Sequence, residues 1–94
     1  MVRADRIVVY KTERCGYCTA AIRFLTDKKG AEIEIVDLTR DPEARQALMA
    51  RTGMRTVPQI FVGVVHVGGF DELRALDRAG GLDPLLSAVT AAGQ

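Results

Sequence analysis

The chain has 94 residues, 48% of them apolar, enough for one core and too few for a second. Its formal net charge is +1, from 13 basic and 12 acidic residues spread along the chain. That balance excludes the basic stripe of a nucleic-acid binder and the polybasic patch of a membrane-surface protein. Residues 1–94 are therefore expected to form a single domain with neither nucleic acid nor membrane as a partner.

The opening Met1-Val2-Arg3-Ala4-Asp5-Arg6 leads into an apolar run of only four residues, Ile7 to Tyr10. That is too short for a signal-peptide core or a membrane span, so a cytoplasmic location is expected. The run itself is β-branched and suits a buried strand. From Cys15 onward, Cys18, Ala21, Ile22 and Leu25 recur at helical spacing, and Lys28-Lys29-Gly30 supplies a basic last turn and a glycine stop. Glu32 to Asp37 alternates polar and apolar, as a half-buried strand does, and closes a βαβ unit with parallel strands. Asp41-Pro42-Glu43 reads as an N-cap, a proline at the first helical position and a first-turn acid, which predicts a helix over 42–52 before Gly53. Gln59 to Gly63 and Val64 to Val67 read as two strands about a glycine turn. A helix begun near Asp71 ends at Gly80-Gly81, and Asp83-Pro84 starts the last one. The order β-α-β-α-β-β-α-α predicts an α/β fold, a four-stranded mixed sheet with helices on both faces.

Cys15-Gly16-Tyr17-Cys18 holds the only two cysteines. A reducing compartment makes a structural disulfide rare, and two cysteines with one histidine cannot close a four-ligand zinc site within one chain. A C-x-x-C that follows a strand and opens a helix is the context of a thioredoxin-like redox site. The helix dipole contributes about 0.3–2 kcal/mol, which lowers a thiol pKa by about 1.5 units at most. Full ionisation of Cys15 therefore also needs N–H donors from the first turn and nearby cations, for which Lys11 and Arg14 are the candidates. Cys18, inside the turn, is expected to stay a thiol and to act as the resolving group. His66, between two valines, reads as structural, and Met49 and Met54 as gap-filling or loop residues. Asp37, Arg40 and Asp41 read as a surface loop without a role.

The stretches YKTERCGYC (10–18), TVPQIFV (56–62), VGGFDEL (67–73) and LDRAGGLDPLL (76–86) resemble the glutaredoxin family, in particular its bacterial glutaredoxin 3 type. The resemblance extends over nearly the whole chain, and its motifs stand in the family's order. It implies a thioredoxin-like fold and a glutathione-dependent thiol–disulfide oxidoreductase that reduces protein–glutathione mixed disulfides and protein disulfides. Cys15 is then the nucleophile and Cys18 the resolving thiol, with glutathione as reductant. The resemblance further implies a cis Pro58, with Thr56 and Val57 beside the cysteines and Val57 pairing with the cysteinyl part of glutathione. Gly69, Phe70 and Asp71 would hold the γ-glutamyl end, and Arg55 and Lys11 the glycine carboxylate, while Tyr17 packs against the sulfur. Asp71 can also be read as a plain N-cap, and Arg55 as a solvated charge.

Two positions depart from the family's pattern. Thr12 stands where the family has lysine, with Lys11 one place earlier, and Gly16 stands where proline is commonest. A small residue at that second place is associated in related members with a [2Fe–2S] cluster held between two protomers by the first cysteine and glutathione. A cluster carrier without turnover, with Cys15 as metal ligand, is the alternative reading. The expected partners are glutathione and glutathionylated or disulfide-containing proteins, and the expected state is a monomer, dimeric only with a cluster.

Overall fold

The computed structural model of the protein describes residues 4–92; Met1, Val2 and Arg3 of the opening segment read above lie outside them. The elements are β1 (Ile7–Lys11), α1 (Gly16–Arg23) continued by a π-helical segment (Phe24–Lys28), β2 (Glu34–Asp37), α2 (Pro42–Thr52), β3 (Gln59–Val62), β4 (Val65–Gly68), α3 (Phe70–Arg78) and α4 (Leu82–Ala92). The sheet order is β2-β1-β3-β4, with β1 and β2 parallel, in register Val8↔Glu34, and the other pairs antiparallel.

Side chains alternate across β1 and β3, and this alternation divides the core. Ile7, Val9, Ile60 and Val62 face Ala21 and Leu25 of the first helical segment, Leu73 of α3, and Leu82 and Val89 of α4. Val8 and Phe61 face the other way, onto Leu38 and Leu48, so α2 alone covers that side. Full burial of a leucine such as Leu73 contributes about 1.5–3 kcal/mol. Lys29 fastens the larger layer at its margin: Nζ lies 2.6 Å from Asp77 and 3.0 Å from Asp83, tying the end of the first helical segment to α3 and α4. The hydrogen bonds that it donates to these two carboxylates hold its ammonium above the ordinary lysine value.

Several boundaries differ from the sequence reading. Gly63 and Val64 form the turn between β3 and β4, so the second of these strands runs Val65–Gly68 and not Val64–Val67. The first helix widens at Phe24, where the Lys29 N–H donates to the carbonyl of Phe24 (3.2 Å), before Gly30 turns the chain at φ +65°. Glu32 and Ile33 stay outside the ladder, because β2 first meets β1 at Glu34; Ile33 packs on the core instead. The last helix begins one residue earlier than Asp83, at Leu82.

Candidate active site

β1 runs out at Lys11 and delivers the chain into the loop Thr12–Arg14. Arg14 adopts φ +57°, a left-handed conformation uncommon outside glycine, and this bend swings Cys15 into place as the N-cap of α1. The loop is held from the neighbouring strand. Thr39 Oγ1 accepts the Glu13 N–H (2.8 Å), and the same hydroxyl donates to Asp37 Oδ1 (2.5 Å), which also accepts the Thr39 N–H (2.9 Å). Those two bonds from Thr39, with Lys11 and Arg40 as weaker contributors, hold the Asp37 carboxyl below the ordinary carboxylate range.

Cys15 Sγ accepts the backbone N–H of Cys18 at 3.1 Å, and the two sulfurs are joined as a disulfide. Their burial differs sharply: Cys15 is part-exposed and Cys18 is fully buried. Only Cys15 is accessible to an incoming sulfur. Across from it, the Val57–Pro58 peptide is cis, and the Val57 carbonyl oxygen lies 3.8 Å from Cys15 Sγ.

A groove of about 430 Å³ opens from this point. Met54, Thr56, Val57 and Pro58 form one wall and Gly69, Phe70, Asp71 and Glu72 the other, with Tyr17 at the cysteine end. The Tyr17 ring, 65% exposed, lies on Phe70 with centroids 6.3 Å apart, and Phe70 meets Phe24 edge-on at 6.4 Å. The walls approach closely at Gly69, where a Cβ would sit 3.3 Å from Met54 Cε and 3.1 Å from Glu72 Oε1. The second wall is the start of α3, whose first amide N–H groups have no partner within the helix. Glu72 Oε1 accepts the Gly69 N–H at 2.8 Å, and the first intrahelical bond is from the Leu73 N–H, which leaves the N–H groups of Phe70, Asp71 and Glu72 as the donors at this end of the helix.

Of the residues expected at a glutathione site, Tyr17, Thr56, Val57, Pro58, Gly69, Phe70 and Asp71 line the groove, next to Cys15. Lys11 and Arg55 are not in its lining; Lys11 Nζ lies 4.0 Å from Asp37, and Arg55 is exposed one residue from Thr56. The N-cap reading of Asp71 is corrected: Gly69 occupies the cap position, Glu72 supplies the carboxylate, and Asp71 sits one step inside the helix with its side chain exposed. Met54 and Glu72 were missed as groove residues. Glu72 had a signal, standing three residues after Gly69 as the second half of a capping box does. The brace from Thr39 was also missed, in a loop read as having no role.

The glutaredoxin family model matches residues 7–67. The chain is 46% identical to a glutaredoxin of Pseudomonas aeruginosa over 82 residues, covering 87% of this chain and 96% of that one. It is 41% identical to glutaredoxin 3 of Escherichia coli K12 over 80 residues, 85% of this chain and 95% of the other. Among solved structures, the buckwheat glutaredoxin–glutathione complex superposes with a TM-score of 0.79 at 37% identity, over 88% of this chain and 77% of that one. With its C-x-x-C at a helix N-terminus opposite a cis-proline, on a mixed sheet of order β2-β1-β3-β4, the chain belongs to the glutaredoxin family of glutathione-dependent thiol–disulfide oxidoreductases.

Proposed function

We propose that residues 1–94 work as one glutaredoxin domain in which the groove between Val57 and Asp71 binds glutathione and presents its sulfur to Cys15. The observation that carries this reading is the convergence of Cys15, the Val57 carbonyl and the open N-terminus of α3 on one groove. A tripeptide with an anionic and a cationic group at its γ-glutamyl end suits a helix N-terminus for the carboxylate and Asp71 for the ammonium. Val57 offers its main chain to the cysteinyl part. Arg55 and Lys11 are the cations proposed for the glycine carboxylate, Arg55 exposed beside Thr56 and Lys11 loosely placed 4.0 Å from Asp37.

In the reaction, the Cys15 thiolate attacks the glutathionyl sulfur of a protein–glutathione disulfide. The protein thiolate leaves and takes up a proton, and Cys15 carries the glutathionyl group. A second glutathione thiolate then attacks that sulfur, so glutathione disulfide departs and Cys15 returns as thiolate. With a protein disulfide, Cys15 forms the mixed disulfide, Cys18 displaces the substrate thiol, and the Cys15–Cys18 disulfide remains for glutathione to reduce. Glutathionylated and disulfide-containing proteins are thus the proposed substrates, and a cytoplasmic monomer the proposed state. No helix among the described residues is long and apolar enough to cross a membrane.

In the alternative reading a [2Fe–2S] cluster would be shared between two protomers, so one chain need not supply all its ligands. No group of three or more His, Cys, Asp or Glu side chains converges among the described residues, and Cys18 is buried. A cluster would take only Cys15 from this chain. The glutathione reading is tested by turnover of a small glutathione mixed disulfide with varied glutathione: saturation, lost in Cys15→Ser, supports it, and turnover independent of glutathione overturns it.

A further inference from the structure

Gln59 is the one polar residue in the buried core of the described residues, and it is fully buried. It opens β3, whose other members are Ile60, Phe61 and Val62, at a place where an apolar side chain would be the ordinary choice. Its amide is only half satisfied: Nε2 donates to the Met54 carbonyl at 2.7 Å, while Oε1 is buried without a partner. An orphaned buried acceptor weakens a fold, so stability alone does not account for an amide here.

The return lies in what the donor holds. Met54 is clasped at both of its peptide groups, its carbonyl by Gln59 and its N–H by Thr52 Oγ1 at 3.2 Å. Thr52 closes α2 and Gln59 opens β3, so the two clasps fix the entry to the groove wall that runs from Met54 to the cis-proline. Between them, no hydrogen bond holds the main chain of Arg55, Thr56 or Val57 among the described residues, apart from the approach of Cys15 Sγ to the Val57 carbonyl. The Met54 methyl group reaches the opposite wall, 3.3 Å from where a Cβ on Gly69 would sit.

We infer that Gln59 is a positioning residue for glutathione: through the Met54 carbonyl, its buried amide fixes the Met54–Val57 wall against which the cysteinyl part of glutathione lies. This rests on the proposed reading that the groove is the glutathione site. Gln59 touches neither substrate nor sulfur and acts only through the wall.

The test compares Gln59→Met, similar in shape but without a donor, with wild type and with Asp71→Ala, measuring KM for glutathione, kcat, the thermal midpoint and the pH midpoint of the Cys15 thiolate. Loss of one uncharged hydrogen bond's worth of preorganisation raises KM roughly threefold to tenfold. The thermal midpoint should not fall, since the orphaned Oε1 goes too, and the thiolate midpoint should not move. A KM within twofold of wild type, while Asp71→Ala raises it, overturns the inference and leaves the site reading standing. If neither variant changes KM, the site reading fails and the inference with it. A lowered thermal midpoint with unchanged KM makes Gln59 purely structural and also overturns it. Should Gln59→Met not fold, Thr52→Val removes the other clasp: a raised KM supports the inference and an unchanged one overturns it.

Discussion

Cys15 Sγ sits 3.1 Å from the backbone nitrogen of Cys18, so the amide that opens the first turn of α1 points at the sulfur of the residue capping it. The same residue whose N–H serves Cys15 buries its own thiol completely. One helical turn thus makes one sulfur an accessible hydrogen-bond acceptor and hides the other. In the reduced protein the N–H donor and the helix terminus both favour the Cys15 thiolate, while burial disfavours that of Cys18. Thiolate absorbance near 240 nm, followed against pH in Cys18→Ser, should show a midpoint clearly below the ordinary value of about 8.5. A midpoint at that ordinary value would contradict this electrostatic picture.

Asp71 and Glu72 are neighbours in sequence but differ in task. Glu72 accepts the Gly69 N–H and caps α3, whereas the exposed Asp71 faces the groove with no such bond. Glu72→Ala should therefore lower stability by about 1 kcal/mol, the usual cost of a lost cap. Asp71→Ala should leave the thermal midpoint nearly unchanged and raise KM for glutathione roughly tenfold, through loss of one charge-assisted contact. Denaturant unfolding and glutathione kinetics on the two variants check the division; a reversed pattern would return Asp71 to the cap.

The strands, the capped helices and the C-x-x-C were legible because each has a local signal: Asp41-Pro42 at the start of α2 with Asp41 Oδ1 accepting the Ala44 N–H at 3.1 Å, or Gly63 at φ +62° between β3 and β4. The groove was legible only through the family's motifs, since nothing local says that Val57 and Asp71 face one another. What escaped has long-range causes. Thr39 braces Glu13 across 26 residues because β2 lies parallel beside β1, and an exposed threonine in a polar loop carries no mark of that. Gln59 looks like any polar residue entering a strand until its burial is seen. The π-helical widening at Phe24 has no sequence signature that we can identify.

His66 gives the fold a pH dependence of definite sign. Burial, and then the charge of Arg51, push its imidazole below the ordinary value of 6.5, with Glu72 opposing; Nε2 is buried without a partner beside Phe61, at 4.8 Å between ring centroids. The folded state disfavours the imidazolium, so between the lowered folded value and 6.5 the unfolded chain binds more protons. The stabilising contribution is present above pH 6.5 and is lost as pH falls through the folded value. His66→Phe should remove this part of the loss and, by deleting the orphaned nitrogen, raise stability by about 1 kcal/mol. Unfolding free energies of both proteins at pH 8 and pH 5 measure it; an equal difference at the two pH values would show that His66 is not the titrating group.

The division of labour between the two cysteines separates chemistry that needs one thiol from chemistry that needs two. Removal of a glutathionyl group requires only the accessible Cys15 and free glutathione. Release of a protein held in a mixed disulfide is faster by far when a thiol one helical turn away attacks intramolecularly. Turnover of a small glutathione mixed disulfide and of an oxidised protein substrate, measured side by side in Cys15→Ser and Cys18→Ser, reads this directly. Cys15→Ser should abolish both activities, and Cys18→Ser should keep the first while losing most of the second. Loss of the first activity in Cys18→Ser, as complete as loss of the second, would contradict the glutathione mechanism and make the protein a dithiol reductase.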